Sequence, residues 1–471
     1  MGVNKLYTYA LSIILFIAAA SLLYTQEMQA LPLMGSASAQ NTSEGTELTI
    51  YSQNIALVRE SITVDLQEGI NVVNVTGVAS RIDPGSVILE DPEQNGTYII
   101  EQQFSTDNAT VTRLLQNNLG REITVTDEAG NSYTGILLSH ENDRIVIDSS
   151  GNIITFMDPS RIEFETSGDI LAGPALTWQI YSPEAGSRTL LMSYLTEDIN
   201  WEANYIVKLT DNESQASIDG WATIDNQAGT SFNDARIKLI AGDVRRVSGG
   251  ADPEYATDQA VSEQAPEQFS EETLFEYHIY TLNRSTNLRD GETKQISLLS
   301  ERGVPVEREY LFESSMSDSI KVMMSTENTE PNGLGIPLPG GIVSTYAEDS
   351  DGMLQFVGED EIRHTAIGQE VRMFVGYAFD ITGEKTQTDY QSLGESAERR
   401  SYSINLTNQK PEDVNVTVVE NIYGDWEITN SSHNYTKVDA FTAEFDVGVP
   451  ADGEETLTYT VEVRYQQATP Y

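Results

Sequence analysis

GWATIDNQAGTSFNDARIKLIAGDVRRV, residues 220–247, decides the fold class. Apolar and polar residues alternate through both halves, the period of a strand with one buried face. NQAGT, residues 226–230, supplies a glycine-containing turn between them. In the second half Ile237 and Leu239 are expected to face inward, with Arg236 and Lys238 outward. The stretch holds no nucleophile–base pair, no metal-ligand cluster and no phosphate loop. It reads as scaffold.

The same pattern extends both ways. Upstream, ELTIYSQNIALVRESITVDLQEGINVVNVTGV alternates with period two through residues 61–66, and Asn95-Gly96 marks a hairpin turn. Residues 46–111 are read as an N-terminal β-domain. Residues 114–120 can form one helical turn, after which brief strands follow, with turns at 129–131 and 150–152. Five short strands in so little chain predict a small SH3- or Sm-like barrel, inserted over residues 112–166.

Downstream, residues 177–471 are read as a β-sandwich domain. Within it SGGADPEYATDQAVSEQAPEQFSEE, residues 248–272, is acidic and poor in apolar groups, and is expected to be a disordered loop. Strand pattern resumes at residues 275–280, and Asn332-Gly333, Pro339-Gly340-Gly341, Asp351-Gly352 and Asp452-Gly453 are turn signals. In the last strand Leu457, Tyr459, Val461, Val463 and Tyr465 share one face. The predicted architecture is all-β: multi-domain β-sandwiches with an inserted barrel and an N-terminal hydrophobic helix.

A chain of 471 residues exceeds one core, since single domains hold roughly 100–200. Its formal charge of −46, from 73 acidic and 27 basic residues, repels phosphate backbones and argues against nucleic acid as a partner. With no cysteine, disulfides, zinc–thiolate sites, iron–sulfur clusters and cysteine nucleophiles are excluded. Stability must come from packing.

After Lys5 an apolar run, LYTYALSIILFIAAASLLY at residues 6–24, approaches the ~20 residues that span a bilayer. Ala37-Ser38-Ala39 offers a small-residue cleavage site before Gln40. Residues 1–45 are read as a signal peptide, cleaved after Ala39, or a membrane anchor at residues 6–24, plus a linker, and either one exports the remainder. Glycosylation acceptor patterns occur at Asn41, Asn74, Asn95, Asn108, Asn212, Asn283, Asn405, Asn415, Asn430 and Asn434. Asn, Ser and Thr are also common on β-rich surfaces, so this density has a bland explanation too.

Motifs of chemistry are missing. No G-x-S-x-G or H-E-x-x-H occurs, and His140, His278, His364 and His433 lie apart without motif context. The densest polar cluster is AEDSDGMLQFVGEDEIRH, residues 347–364. There Asp349, Asp351, Glu359, Asp360 and Glu361 could offer oxygens to calcium or magnesium, but the ligand spacing of a calcium loop is not met, and Asp351-Gly352 is an ordinary hairpin turn. Carboxylate pairs for glycoside hydrolysis are set by spacing in space, which the sequence does not give. Trp178, Trp201, Trp221 and Trp426 are read as packing anchors rather than a sugar platform. No residue is assigned as catalytic, cofactor-binding or metal-ligating.

DINWEANYIVKL, GWATIDNQAGTSFNDARIKLIAGDV, EYHIYTL, TKQISLL, GIPLPGGIVSTYAEDSDGMLQFVGEDEIRHT, VGYAFDITGEKTQTDY and YGDWEI, in that order, resemble the family called domain of unknown function 4139. The resemblance covers roughly residues 177–465, and the opening IYSQNIALVRESITVDLQEG matches the N-terminal part of exported archaeal and bacterial members. The family is related to mucoidy inhibitor A proteins, linked loosely to envelope polysaccharide, whose long coiled coil this chain lacks. The resemblance implies an exported all-β protein and carries no catalytic residues over. The leading expectation is a non-catalytic cell-envelope or secreted protein in surface structure, adhesion or assembly, with envelope proteins or glycans as partners. The alternative is a carboxylate-based hydrolase of envelope or extracellular polysaccharide.

Overall fold

The computed structural model describes residues 45–93, 96–105, 111–141, 144–165, 173–210, 213–242, 244, 268–274, 277–315 and 317–465, plus the backbone at 35–38 and 40–41. The apolar run at 6–24, Asn95, Asn108, Asn212 and most of the acidic stretch lie outside the described residues. What is described is nearly all strand, as the alternation predicts. Two compact units divide the chain: Met1–Thr46 with Val58–Thr196, and Glu47–Leu57 with Glu197–Tyr471.

In the first unit a four-stranded sheet runs in the order Gly35–Ser38, Gly69–Thr76, Ala175–Ser182, Tyr98–Ser105. Trp178 is fully buried there, and its indole N–H donates to Gln102 Oε1 at 3.0 Å, so the ring's one polar atom is satisfied. Residues 122–164 make a separate five-stranded sheet, Asn152–Met157, Arg144–Ser149, Ser132–Glu141, Glu122–Thr126, Arg161–Phe164. Its own core holds Ile123, Val125, Leu137, Ile145, Ile147 and Phe156. The turn at Ser150-Gly151 takes positive φ at both positions, 55° and 85°, which suits the right-handed twist of its flanking strands. The helix, Val111–Asn117, begins three residues earlier than residue 114, because Leu115 docks into that core. Asn118 follows, donating to the Leu114 carbonyl at 2.8 Å.

The second unit contains the stretch that opened the sequence reading, and there the chain departs from the simplest expectation. It forms two strands, Gln215–Asn226 and Phe232–Ala241, but they lie in different sheets. The first sits between Ile199–Leu209 and Glu292–Pro305, in a sheet completed by Gly341–Glu348 and Leu354–Ile362. The second pairs with Tyr277–Leu282 and, in parallel, with Glu47–Tyr51 from far upstream. The NQAGT turn is therefore a crossing between sheets. Asn226 is fully buried at the crossing, and its amide donates to the carbonyls of Thr230 at 2.9 Å, Arg289 at 3.1 Å and Leu288 at 3.3 Å. Trp201 spans the two sheets, donating from its indole N–H to the Ile240 carbonyl at 3.0 Å. Ile237 and Leu239 are buried as expected, while the Arg236 side chain is 72 % exposed.

The end of the stretch read as loop is also a strand: Phe269–Leu274 pairs with Tyr277–Leu282. Phe269 is buried and Glu272 exposed, an alternation that the acidic composition hid.

The rest of this unit is a nine-stranded sheet in the order Asp425–Ser431, Gly453–Arg464, Ala397–Asn408, Glu370–Ser392, Ser319–Glu327, Glu307–Glu313, Val414–Asn421, Thr442–Val449, Tyr435–Lys437. Its two ends meet over one apolar core, where the rings of Phe445 and Tyr459 lie 5.3 Å apart. Leu457, Tyr459, Val461 and Val463 are buried as the alternation predicts. Tyr465 is not; it lies past the strand's end, 43 % exposed, with its hydroxyl donating to Glu398.

Candidate functional site

The acidic cluster flagged in the sequence is a hairpin. Asp349 closes the turn between Gly341–Glu348 and Leu354–Ile362, accepting from the N–H groups of Asp351 and Met353, both at 3.0 Å. Its second oxygen accepts from Gln355 at 2.7 Å, and the Met353 N–H is the first cause holding its carboxyl below the usual range. Further along, Glu359 accepts from Ser344 at 3.2 Å and Asp360 from the Phe374 N–H at 2.6 Å. The carboxylates thus turn to separate partners, and among the described residues no group of three or more metal-ligating side chains converges.

The histidines are equally dispersed. His278 Nδ1 lies 2.7 Å from Glu271, His364 Nδ1 accepts from the Gly340 N–H at 2.9 Å, and His433 Nε2 lies 3.6 Å from Glu455. His140 stands opposite Ile145 on the small sheet. Trp426 donates to the Ala440 carbonyl at 2.8 Å beneath Lys437, whose ammonium lies 4.1 Å from the ring centre.

Two constellations escaped the sequence reading. One joins Ser314, Lys385, Glu420, Tyr402 and Tyr459 at the edge of the nine-stranded core. Glu420 is 2 % exposed; it accepts from Ser314 Oγ at 2.6 Å and is ion-paired with Lys385. Lys385 also donates to Ser314 Oγ at 3.0 Å and lies 4.5 Å from the Tyr402 ring centre. Burial first, then the Glu420 charge, pushes the Tyr459 hydroxyl far above its ordinary range. The three side chains Ser314, Lys385 and Glu420 satisfy one another, and the arrangement clamps the segments that carry them. No spacing signal announces it, since its members come from five separated positions.

The other constellation is an exposed apolar surface. Met353, Leu354, Phe356 and Val357 are 58, 45, 59 and 45 % exposed on the hairpin, with Tyr377 at 59 % and Phe379 at 94 % on Glu370–Ser392. Phe379 stands on a bulge, where residues 378–381 oppose the single residue Ile320 between the pairs Lys321–Tyr377 and Ser319–Thr382. The backbone of Val375 approaches Gly358 so closely that a Cβ there would sit 1.9 Å from the Val375 oxygen. Hence the glycine in FVGED. A signal was present: MFVGYAF places apolar residues at both parities of a strand, which a half-buried strand does not need.

Two small cavities lie within this unit, each of about 20 Å³ and lined mainly by apolar side chains, both touching Tyr205 and Leu299. That volume admits roughly one water, whereas ligand pockets run to ~300 Å³ and more. Tyr205 and Tyr280 instead donate their hydroxyls to the carbonyls of Pro339 and Pro337, at 2.8 and 2.9 Å, fixing the GIPLPGG loop. Among the described residues no helix is long and apolar enough to cross a membrane.

Among curated proteins, no sequence matches the chain. A crystal structure from Parabacteroides distasonis ATCC 8503, described as a candidate protease, aligns over 93 % of this chain and 94 % of its own, at 8 % identity. Its TM-score of 0.13 carries no argument about fold or activity. The family described as Domain of unknown function (DUF4139) matches residues 190–467, more than half of the chain. The match takes in both strands joined at Asn226 and all of the nine-stranded sheet, though not Glu47–Tyr51, and the chain belongs to the DUF4139 family.

Proposed function

We propose that this is a non-catalytic exported protein of the cell envelope or extracellular space, acting in surface structure, adhesion or assembly through an exposed apolar face. In this reading its larger sheets are arranged as β-sandwiches and residues 112–166 as a small SH3- or Sm-like barrel. The sheet that closes over its own core, and the small sheet with its separate core, support that arrangement. The observation that carries the function is the apolar hairpin and its neighbouring bulge, with Phe379 94 % exposed; such patches on a soluble surface mark interaction sites. The apolar run at residues 6–24 supports export, by signal or anchor, and the exposed Asn283, Asn415, Asn430 and Asn434 support glycosylation where the host glycosylates. Antibody labelling of intact cells, with mass spectrometry of the N-terminus, tests the placement. Surface labelling is expected, and protein found solely inside the cell would overturn the reading.

A further inference from the structure

Resting on the surface-binding reading above, we propose that the hairpin of Gly341–Glu348 and Leu354–Ile362, with the bulge at Phe379, docks a basic polypeptide segment carrying apolar side chains of its own. Leu354 and Phe356 occupy one face of their strand and Gln355 the other, while Val357 sits on a bulge between the pairs Thr345–Gly358 and Tyr346–Phe356, yet all four are exposed. The hairpin tip therefore leaves its apolar groups in the open and covers no core of its own. The Tyr346 ring meets Phe356 edge-on at 5.5 Å and holds it in place. The contacts of Asp360 with Phe374 and of Gly358 with Val375 run the hairpin antiparallel to the neighbouring strand. That direction carries Phe356 toward Tyr377, which packs edge-on against Phe374 at 5.1 Å. The rings form a pre-set apolar surface, and immobilised aromatics cost little side-chain entropy on binding.

Charge selects the occupant. Residues 346–361 contain six acidic side chains and no basic one. A second copy would set six acids against six in chains of net charge −46, and like charges across an interface oppose association. Anionic polymers are repelled for the same reason. Met353, Leu354 and Val357 offer a sugar no hydrogen bond, whereas they fit the apolar centre of a protein interface with a charged rim. Lysine or arginine at the rim and apolar side chains at the centre match both features.

The test is fluorescence anisotropy of a labelled synthetic peptide alternating lysine and valine, and of its glutamate–valine counterpart, titrated with the full chain. The Phe356→Ser/Phe379→Ser variant, whose fold is checked by circular dichroism, and the single Phe379→Ser variant are compared with it. The lysine peptide is expected to bind, to bind at least tenfold more weakly to the double variant, and to weaken as salt is raised; the glutamate peptide is expected not to bind. Equal binding to the double variant would reduce the effect to bulk charge and overturn the proposal, as would no binding at all. Self-association that the double variant abolishes in sedimentation, or oligosaccharide binding that it abolishes, would replace the partner with a second copy or a glycan. Loss of peptide binding in a chain still found on intact cells sinks the partner alone, whereas a chain confined inside the cell sinks the surface reading alone.

Discussion

At the scale of single residues, three buried asparagines hold this molecule where its strands change direction. Asn226, Asn328 and Asn408 are 0, 0 and 1 % exposed, and each amide donates to three backbone carbonyls. Each side-chain oxygen accepts one N–H in return, from Ala228, Gly335 and Lys410. An amide fits such a site because it carries donor and acceptor together without charge. Asn226→Ala strands its carbonyls and is expected to destabilise the fold by on the order of 1–3 kcal/mol, read from urea unfolding midpoints. Carboxylates in surface turns act differently. Asp349, Asp439 and Glu292 are held below their ordinary range, in each case first by a backbone N–H, from Met353, Phe441 and Arg289. Their folded values lie beneath the unfolded ones, so the stability they add is complete above ~4 and is lost as pH falls through the folded values. Asp349→Asn should therefore melt below the parent near pH 7 and converge with it in strong acid, measured by calorimetry. A constant gap at every pH would remove ionisation from the account.

At the scale of elements, the strands were legible and their partners were not. Period-two alternation marks Gln215–Asn226 and Phe232–Ala241 individually, because each buries one face. NQAGT fits a hairpin as well as it fits a crossing, and what decides is Glu47–Tyr51 and Glu292–Pro305, remote in sequence, claiming the two strands' free edges. The exposed face left a trace in MFVGYAF, whereas the Ser314–Lys385–Glu420 clamp left none, since its members meet only after the strands are ordered. That clamp joins the turn after Glu307–Glu313 to Glu370–Ser392 and Val414–Asn421. Lys385→Ala would leave Glu420 buried and unpaired, an expected loss of roughly 3 kcal/mol by chemical denaturation. Lys385→Met with Glu420→Leu should recover most of it, which separates removal of an ion pair from orphaning a charge. If the double variant is as unstable as the single, the pair holds more than its own charges.

At the scale of the whole molecule, 73 acidic side chains against 27 basic ones set the electrostatics. Self-repulsion of this size weakens the compact state and is screened by salt, the Debye length falling from ~30 Å at 0.01 M to ~3 Å at 1 M. The melting temperature is expected to climb by several degrees over that range in scanning calorimetry, and a flat profile would show that the charges lie too far apart to matter. Export was read from residues outside the described ones, and partner chemistry from a surface that only folding assembles. The parallel pairing of Glu47–Tyr51 with residues 236–240 also reaches beyond the finished structure. On the ribosome, at roughly 5–20 residues per second, an apolar strand emitted early waits on the order of 10–40 s for its neighbour to be made. Throughout that interval LTIY, residues 48–51, is an unclaimed edge open to any strand that passes. The second unit cannot complete this sheet until the intervening chain has been synthesised, so an edge exposed in the nascent chain is part of what the fold costs to make.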